Sequence, residues 1–397
     1  MKPTLLIIGA GPIGIELAIH LVDKYEITIV ERSTNFAGNV REWGHVRLFS
    51  PWSLNVSPLG LQISSLTLDM SSYPLGSEYI SSYLSPLWTY LHNKGVTQLT
   101  ETTVVSLSRS NLLKSTMSNR NTQNFNALLQ RNDGSELILN FSRIADCSGT
   151  WGNPNNLGLG GMPAIGERGL CGRIVKGIPE DMSKFIGGKV VMVVGSGASA
   201  ITFIDRLLSA NCGGVGGEVI WVTRRLGEEI YRDVENDTLP MRDRLNKLAR
   251  EIIKEGGKGT WKVTHEGGSS VISMSSTSTG CVGSEPIVVT LKGGKKVTVD
   301  EVVSAVGYRP DLEMTRELQV HQCYATEGPM KLAASLMAAG GGGGDCLKQV
   351  SGGPGTLGNP EKGMVVLGMK SYGRGSAFLI KVGIEQVGMA EEVLEMT

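Results

Sequence analysis

Short unbroken apolar runs punctuate this chain, each closed by a glycine: Leu5 to Ile8 before Gly9, the run "VVMVV" before Gly195, and Val302 onward before Gly307. Runs of this length bounded by turns read as strands buried on both faces, the pattern of a parallel sheet. Ile27 to Val30 and Val219 to Val222 repeat it, and "MVVLGM" near the end supplies one more. "TTVVSLSR" reads as a further strand, and "RNDGSE" beyond it places Asp133 and Gly134 at the turn of a hairpin. A helical period shows in "SAFLIKVGIEQVGMAEEVL", where Ala377, Ile380, Ile384 and Val387 share a face and Ser376 is placed to cap the first turn. Three stretches follow neither period. "NFAGNVREWGHVRLFSPWSLNVSPLG" reads as a long ordered loop, and ordered loops of that length tend to be functional. "EGGSSVISMSSTSTGC" reads as a hairpin tip without chemistry, and "AAGGGGGDC" as a flexible loop.

Two of the strand-and-glycine units are versions of one another. "LLIIGAGPIGIEL" carries Gly9, Gly11 and Gly14 at G-x-G-x-x-G spacing. The first glycine makes the turn, the second lets backbone approach a pyrophosphate at the helix N-terminus, and the third brings helix close to strand. The next strand ends on Glu31, about 20 residues on, where an acid accepts from a ribose hydroxyl. The second version, "VVMVVGSGASAITFI", runs through Gly195, Ser196, Gly197 and Ala200, and its following strand ends on Thr223, Arg224 and Arg225 instead of an acid. Arginine at that place accommodates the 2′-phosphate of NADP. The acid-ended unit therefore suits the ADP half of FAD and the arginine-ended unit suits NADPH. The plainer alternatives are a glycine turn with Glu31 as a surface charge, and two solvated arginines.

Composition narrows the partners. The 397 residues carry 38 Lys and Arg against 38 Asp and Glu, so nothing suggests bulk attraction to nucleic acid or to an anionic membrane, and small molecules are the expected partners. No apolar stretch is long enough to span a bilayer and the first strand begins almost at once, so a cytoplasmic protein is expected. The six cysteines are scattered without a C-x-x-C, and the five histidines form no metal-ligand pair, so no metal site is expected. Oligomeric state is not legible.

In order along the chain, "GAGPIG" with Glu31, "ADCSGTWGNP", "GSGASA" with "VTRR", and "SAVGYRPDL" resemble the flavoproteins with two dinucleotide-binding domains, in particular the flavin-containing and N-hydroxylating monooxygenases and the thioredoxin-reductase-like enzymes. The resemblance implies an α/β fold of two Rossmann-like domains. The FAD domain would be discontinuous, residues 1–155 and 308–397, with the NADPH domain, 156–307, inserted. It implies that Gly149 and Gly307 mark the crossings and that Gly38 lies near the FAD pyrophosphate. The chain departs from the family twice: it has neither the F-x-G-x-x-x-H of the best-known flavin monooxygenases nor the redox C-x-x-C of the reductases. An FAD- and NADPH-dependent oxidoreductase is expected. The first reading is a monooxygenase using molecular oxygen on a small molecule, with His45 and Trp52 as candidate pocket walls and Lys370 as a candidate cation near the flavin. The second is a reductase passing electrons to another acceptor, and the third a non-enzymatic flavin-bound sensor.

Overall fold

The computed structural model describes residues 1–210, 215–231, 239–276, 285–339, 352–375 and 377–395. The chain divides into two compact units, Met1–Asn153 with Tyr308–Thr397, and Pro154–Gly307.

The first unit opens with β1 (Thr4–Ile8), α1 (Pro12–Leu21) and β2 (Glu26–Val30), followed by β3 (Thr97–Leu99), β4 (Thr102–Arg109), β5 (Phe125–Arg131), β6 (Glu136–Phe141) and β7 (Arg143–Asp146). The second unit holds β8 (Ile174–Lys176), β9 (Val190–Val194), α2 (Ala198–Ser209), β10 (Glu218–Thr223), α3 (Pro240–Glu255), β11 (Gly257–Lys258), β12 (Trp261–Gly267), β13 (Val271–Ser275), β14 (Ile287–Leu291), β15 (Lys296–Val299) and β16 (Glu301–Ser304). The chain then returns to the first unit with β17 (Met364–Val366) and α4 (Ile380–Glu395).

Each unit is built on a parallel sheet. In the first the order is β17-β7-β1-β2-β3; in the second β9 is flanked by β10 and β16 in the order β11-β12-β10-β9-β16-β8, with β11 alone antiparallel. The central strands are fully buried: Leu5, Leu6 and Ile7 in β1, and Val191, Met192 and Val193 in β9, are all 0% exposed. That burial on both faces explains why these strands are apolar at every position rather than at every second one. Each unit adds an antiparallel three-stranded sheet, β4-β5-β6 and β13-β14-β15. The turn between β5 and β6 lies at Asp133 and Gly134, with Gly134 in the left-handed region at φ 85°.

Three stretches differ from the sequence reading. The long polar and aromatic segment folds into short helices, Gly38–Glu42, Trp52–Leu54 and Pro58–Ser64, the last capped by Ser57, whose Oγ accepts from Gly60 N at 2.9 Å. The serine-rich patch is not merely a hairpin tip, since it contains β13, whose Val271 and Met274 enter the core of the second unit. In α4 the most buried residues are Val382, Gly383, Gln386, Val387 and Ala390, with Ile380 and Ile384 only half-buried beside them. The face is turned because Gly383 packs on α1, where a Cβ would stand 2.4 Å from Ile13 Cδ1.

Candidate active site

The glycine turn of the first unit is tight for identifiable reasons. Gly9 has φ 97°, and a Cβ on Gly14 would lie 2.0 Å from Gly9 O, so only glycine lets α1 leave the end of β1 at this distance. Gly11, by contrast, faces nothing within 4 Å, the open side on which a ligand backbone can approach. Gly11 is also the N-cap of α1 and has no side chain to cap it, which leaves the helix terminus available to an anion.

Glu31, at the end of β2, is buried and held in place: Oε2 accepts from Ala10 N at 2.9 Å and Oε1 from Ser33 N at 2.9 Å. Each carboxylate oxygen keeps a lone pair free for a further donor. Ala37 sits in the left-handed region, φ 54°, and donates to Ala10 O at 2.8 Å, which brings Gly38 beside the turn. A Cβ at Gly38 would lie 2.0 Å from Ser33 Oγ.

Gly9, Gly11, Glu31, Gly38 and Gly149 all line one open cleft with a cavity volume of about 140 Å³, together with Cys147, Met369 and the first residue of α4, Ile380. The cleft thus lies before the N-termini of two helices. Its helix N-termini open to an anion and the buried acid with spare acceptor capacity fit the adenosine diphosphate half of FAD.

One wall was not legible in the sequence. Gln386, 0% exposed on α4, accepts from Gly368 N at 2.8 Å and donates to Ser371 Oγ at 2.9 Å, and Ser371 donates to Gly368 O at 2.7 Å. This network holds the turn 368–371 against the cleft, with Gly368 at φ 71°. A buried glutamine in an otherwise apolar helix stripe is the signal that would have pointed to it.

The catalytic candidates fall elsewhere. Trp52 is 4% exposed in the core, its ring centroid 5.8 Å from that of Tyr79, and neither Trp52 nor His45 lines the cleft. Trp52 opens a short helix and packs its side chain into the core, and His45 lies half-buried in the turn after the helix Gly38–Glu42. Lys370 is not a free cation: its Nζ lies 2.6 Å from Asp146 Oδ2 and donates to Ser148 Oγ at 3.2 Å, with both ionic side chains nearly inaccessible. A buried ammonium needs such a partner, and Asp146 at the end of β7 supplies it. Ser376 lies outside the described residues.

Cys147 is the one described cysteine on the cleft, and burial, its largest influence, pushes its thiol well above the ordinary range; the Asp146 charge adds to this. Cys171 belongs to the second unit and Cys323 does not line the cleft.

The turn of the second unit repeats the first. Gly195 has φ 131° and a Cβ there would lie 2.2 Å from Ala305 O; Gly197 faces nothing within 4 Å; Ala200 is fully buried in α2. Trp221 Nε1 donates to Gly195 O at 2.8 Å and Tyr231 Oη to Ser196 O at 3.2 Å, so two aromatic side chains hold the turn. Arg224 and Arg225 follow β10, both exposed and neither in an ion pair among the described residues. Arg225 stands near enough to Tyr231 for its charge to act on that hydroxyl, whose pKa burial pushes up. An open glycine turn beside exposed guanidinium groups that form no ion pair with a described residue fits the 2′-phosphorylated half of NADPH. Gly307, φ 81°, ends this unit next to Asn155. Among the described residues no cluster of His, Cys, Asp or Glu could hold a metal ion, and no helix is long and apolar enough to cross a membrane.

No protein-family model matches the chain, and no curated protein does. Solved structures do. Bacillithiol disulfide reductase Bdr from Bacillus cereus is 16% identical with TM-score 0.68, covering 100% of both chains. Thioredoxin reductase from Lactococcus lactis is 14% identical with TM-score 0.59, covering 98% of this chain and 97% of its own. A flavin monooxygenase from Stenotrophomonas maltophilia is 16% identical with TM-score 0.57, covering 99% and 98%. The fold is accordingly that of the flavoproteins with two dinucleotide-binding domains.

Proposed function

We propose that this chain is an FAD-dependent, NADPH-consuming oxidoreductase, and within that class a monooxygenase that uses molecular oxygen on a small molecule. The class rests on the two glycine turns with unlike endings: Glu31 can accept from ribose hydroxyls in one unit, and Arg224 and Arg225 can pair with a 2′-phosphate in the other. When bound, the two nucleotides supply hydride transfer and electron storage. The chain's part is to bind and orient them. The N-terminus of α1 favours the pyrophosphate charge, the Gln386 network keeps the wall 368–371 in place, and the Asp146–Lys370 pair stiffens the join between β7 and the segment after β17.

The finer reading is carried by Cys147. Thiol–disulfide chemistry needs a thiolate and a resolving partner, and the cysteine on the cleft is buried, held in its thiol form, and has no described cysteine beside it. Similarity to disulfide reductases supports the alternative, electron transfer to an acceptor other than oxygen. Cys147→Ser separates the two. The monooxygenase reading expects NADPH oxidation and oxygen uptake within about twofold of the parent; loss of turnover in a folded, FAD-loaded Cys147→Ser protein would favour the thiol-dependent reductase.

A further inference from the structure

Behind the arginine turn of the second unit stands a histidine that the cofactor reading does not use. His265, in β12, is wedged in a space made by two glycines. A Cβ at Gly227 would come 3.3 Å from its Cε1, and one at Gly267 would come 2.9 Å from the same atom. On its other side the ring lies against Trp221, centroids 5.3 Å apart. Its Nε2 is 2.8 Å from Thr223 Oγ1, and Thr223 Oγ1 donates to Arg225 O at 2.7 Å.

The hydrogen-bond directions follow from the donors available. Arg225 O can only accept, so the Thr223 hydroxyl proton is committed to it, and the Thr223 oxygen must accept from His265 Nε2–H. The chain Nε2–H to Oγ1–H to Arg225 O is continuous and one-directional. Thr223 is 2% exposed, so its hydroxyl has no easy recourse to water, while His265 beside it is half-buried. Trp221, which supports the ring, also holds Gly195 O, so one aromatic centre braces both the glycine turn and the arginine turn.

We infer that His265 is a positioning residue for recognition of the 2′-phosphate: through Thr223 it fixes the backbone of Arg225, and so sets the preference for NADPH over NADH. This rests on the proposal that Arg224 and Arg225 meet that phosphate. A guanidinium on a long side chain selects a phosphate only if its own backbone is held, because the entropy of ordering the turn otherwise subtracts from the charge-assisted bonds.

The test measures calorimetric binding of two probes, 2′,5′-ADP and 5′-AMP, which share the adenosine and differ in the 2′-phosphate. His265→Phe keeps the ring and removes the donor; Thr223→Val removes the hydroxyl at the same shape; His265→Gln restores a donor. Loss of one buried neutral hydrogen bond corresponds to roughly threefold to tenfold. His265→Phe and Thr223→Val should each weaken 2′,5′-ADP by that factor with 5′-AMP unchanged, and His265→Gln should recover most of it. In turnover, KM for NADPH should rise with kcat unchanged. Equal binding of 2′,5′-ADP by Thr223→Val and the parent, or equal weakening of both probes, overturns the inference. The Arg224→Ala, Arg225→Ala double variant tests the premise separately: if it still prefers 2′,5′-ADP, the NADPH reading itself falls. Should His265→Phe fail to fold, Thr223→Val alone decides.

Discussion

Two glutamates fifteen positions apart meet opposite fates, and each can be predicted from what surrounds its carboxyl. Glu31 accepts two backbone amides and faces the cleft. Glu31→Ala should leave the fold intact and lower FAD retention, read as the fraction of flavin remaining after dialysis. Glu16 is 0% exposed on the inner face of α1, where Tyr83 Oη donates to Oε1 and Oε2 has no hydrogen-bond partner among the described residues. Desolvation is the largest influence on it and raises its pKa; the Tyr83 bond opposes. The folded state therefore holds the Glu16 proton more tightly than the unfolded chain does. Stability from this site is greatest below the ordinary carboxyl value and falls as pH rises toward the raised one, by about 1.4 kcal/mol for each unit of displacement. Glu16→Gln removes that slope. Thermal melts at several pH values should show the variant gaining on the parent from pH 4 to pH 8; parallel curves would refute the assignment. Glu31 was legible because it ends a strand at a motif-defined place. Glu16 was not singled out, although α1 is apolar on every side and any charge within it must be buried.

At the scale of elements, single polar residues join pieces distant in the chain. Gln386 ties α4 to the turn after β17; Gln386→Leu leaves Gly368 N and Ser371 without their partner, a loss of roughly 1–3 kcal/mol, and should speed flavin release more than it lowers the melting temperature of the flavin-free protein. Glu361, ahead of β17, pairs with Arg109 of β4 at 2.7 Å and Arg120 at 2.6 Å, and also accepts from Gln319 N at 2.7 Å. Burial works to raise its pKa, but these donors outweigh it and the net shift is downward. The stabilisation is thus complete above the ordinary carboxyl range and is lost as pH falls through the depressed value. Glu361→Gln leaves two buried guanidinium groups with carbonyl acceptors but without their compensating carboxylate, and should cost about 3–5 kcal/mol, measured by urea unfolding at neutral pH. The strands joined here were readable from their apolar runs, whereas the pairing of Glu361 with residues some 240 to 250 positions away was not.

At the scale of the molecule, the insertion closes neatly on each side. Asn155 N donates to Gly307 O at 3.0 Å within the second unit, and Arg309 N to Asn153 O at 2.9 Å within the first. The second unit thus begins and ends at one place and contains its own buried clusters. A fragment of residues 154–307 should fold cooperatively alone and bind 2′,5′-ADP with an affinity near that of the whole chain. A fragment without a cooperative melt would show that the unit depends on the rest of the chain for its stability.

By itself the sequence determined the strand, turn and helix of both nucleotide units, the acid ending of one and the arginine ending of the other. Those features are written in short motifs: a helix leaving a strand this closely needs glycine at Gly14, where a Cβ would strike Gly9 O, and a buried parallel strand must be apolar throughout. Tertiary structure alone decided that Trp52 is buried against Tyr79, that Lys370 pairs with Asp146, that the face of α4 turns toward Ile13, and that His265 reaches Thr223. Each depends on a partner brought in from a distant part of the chain. Periodicity carries no information about which distant side chain arrives, because burial selects polarity while pairing is selected by three-dimensional register.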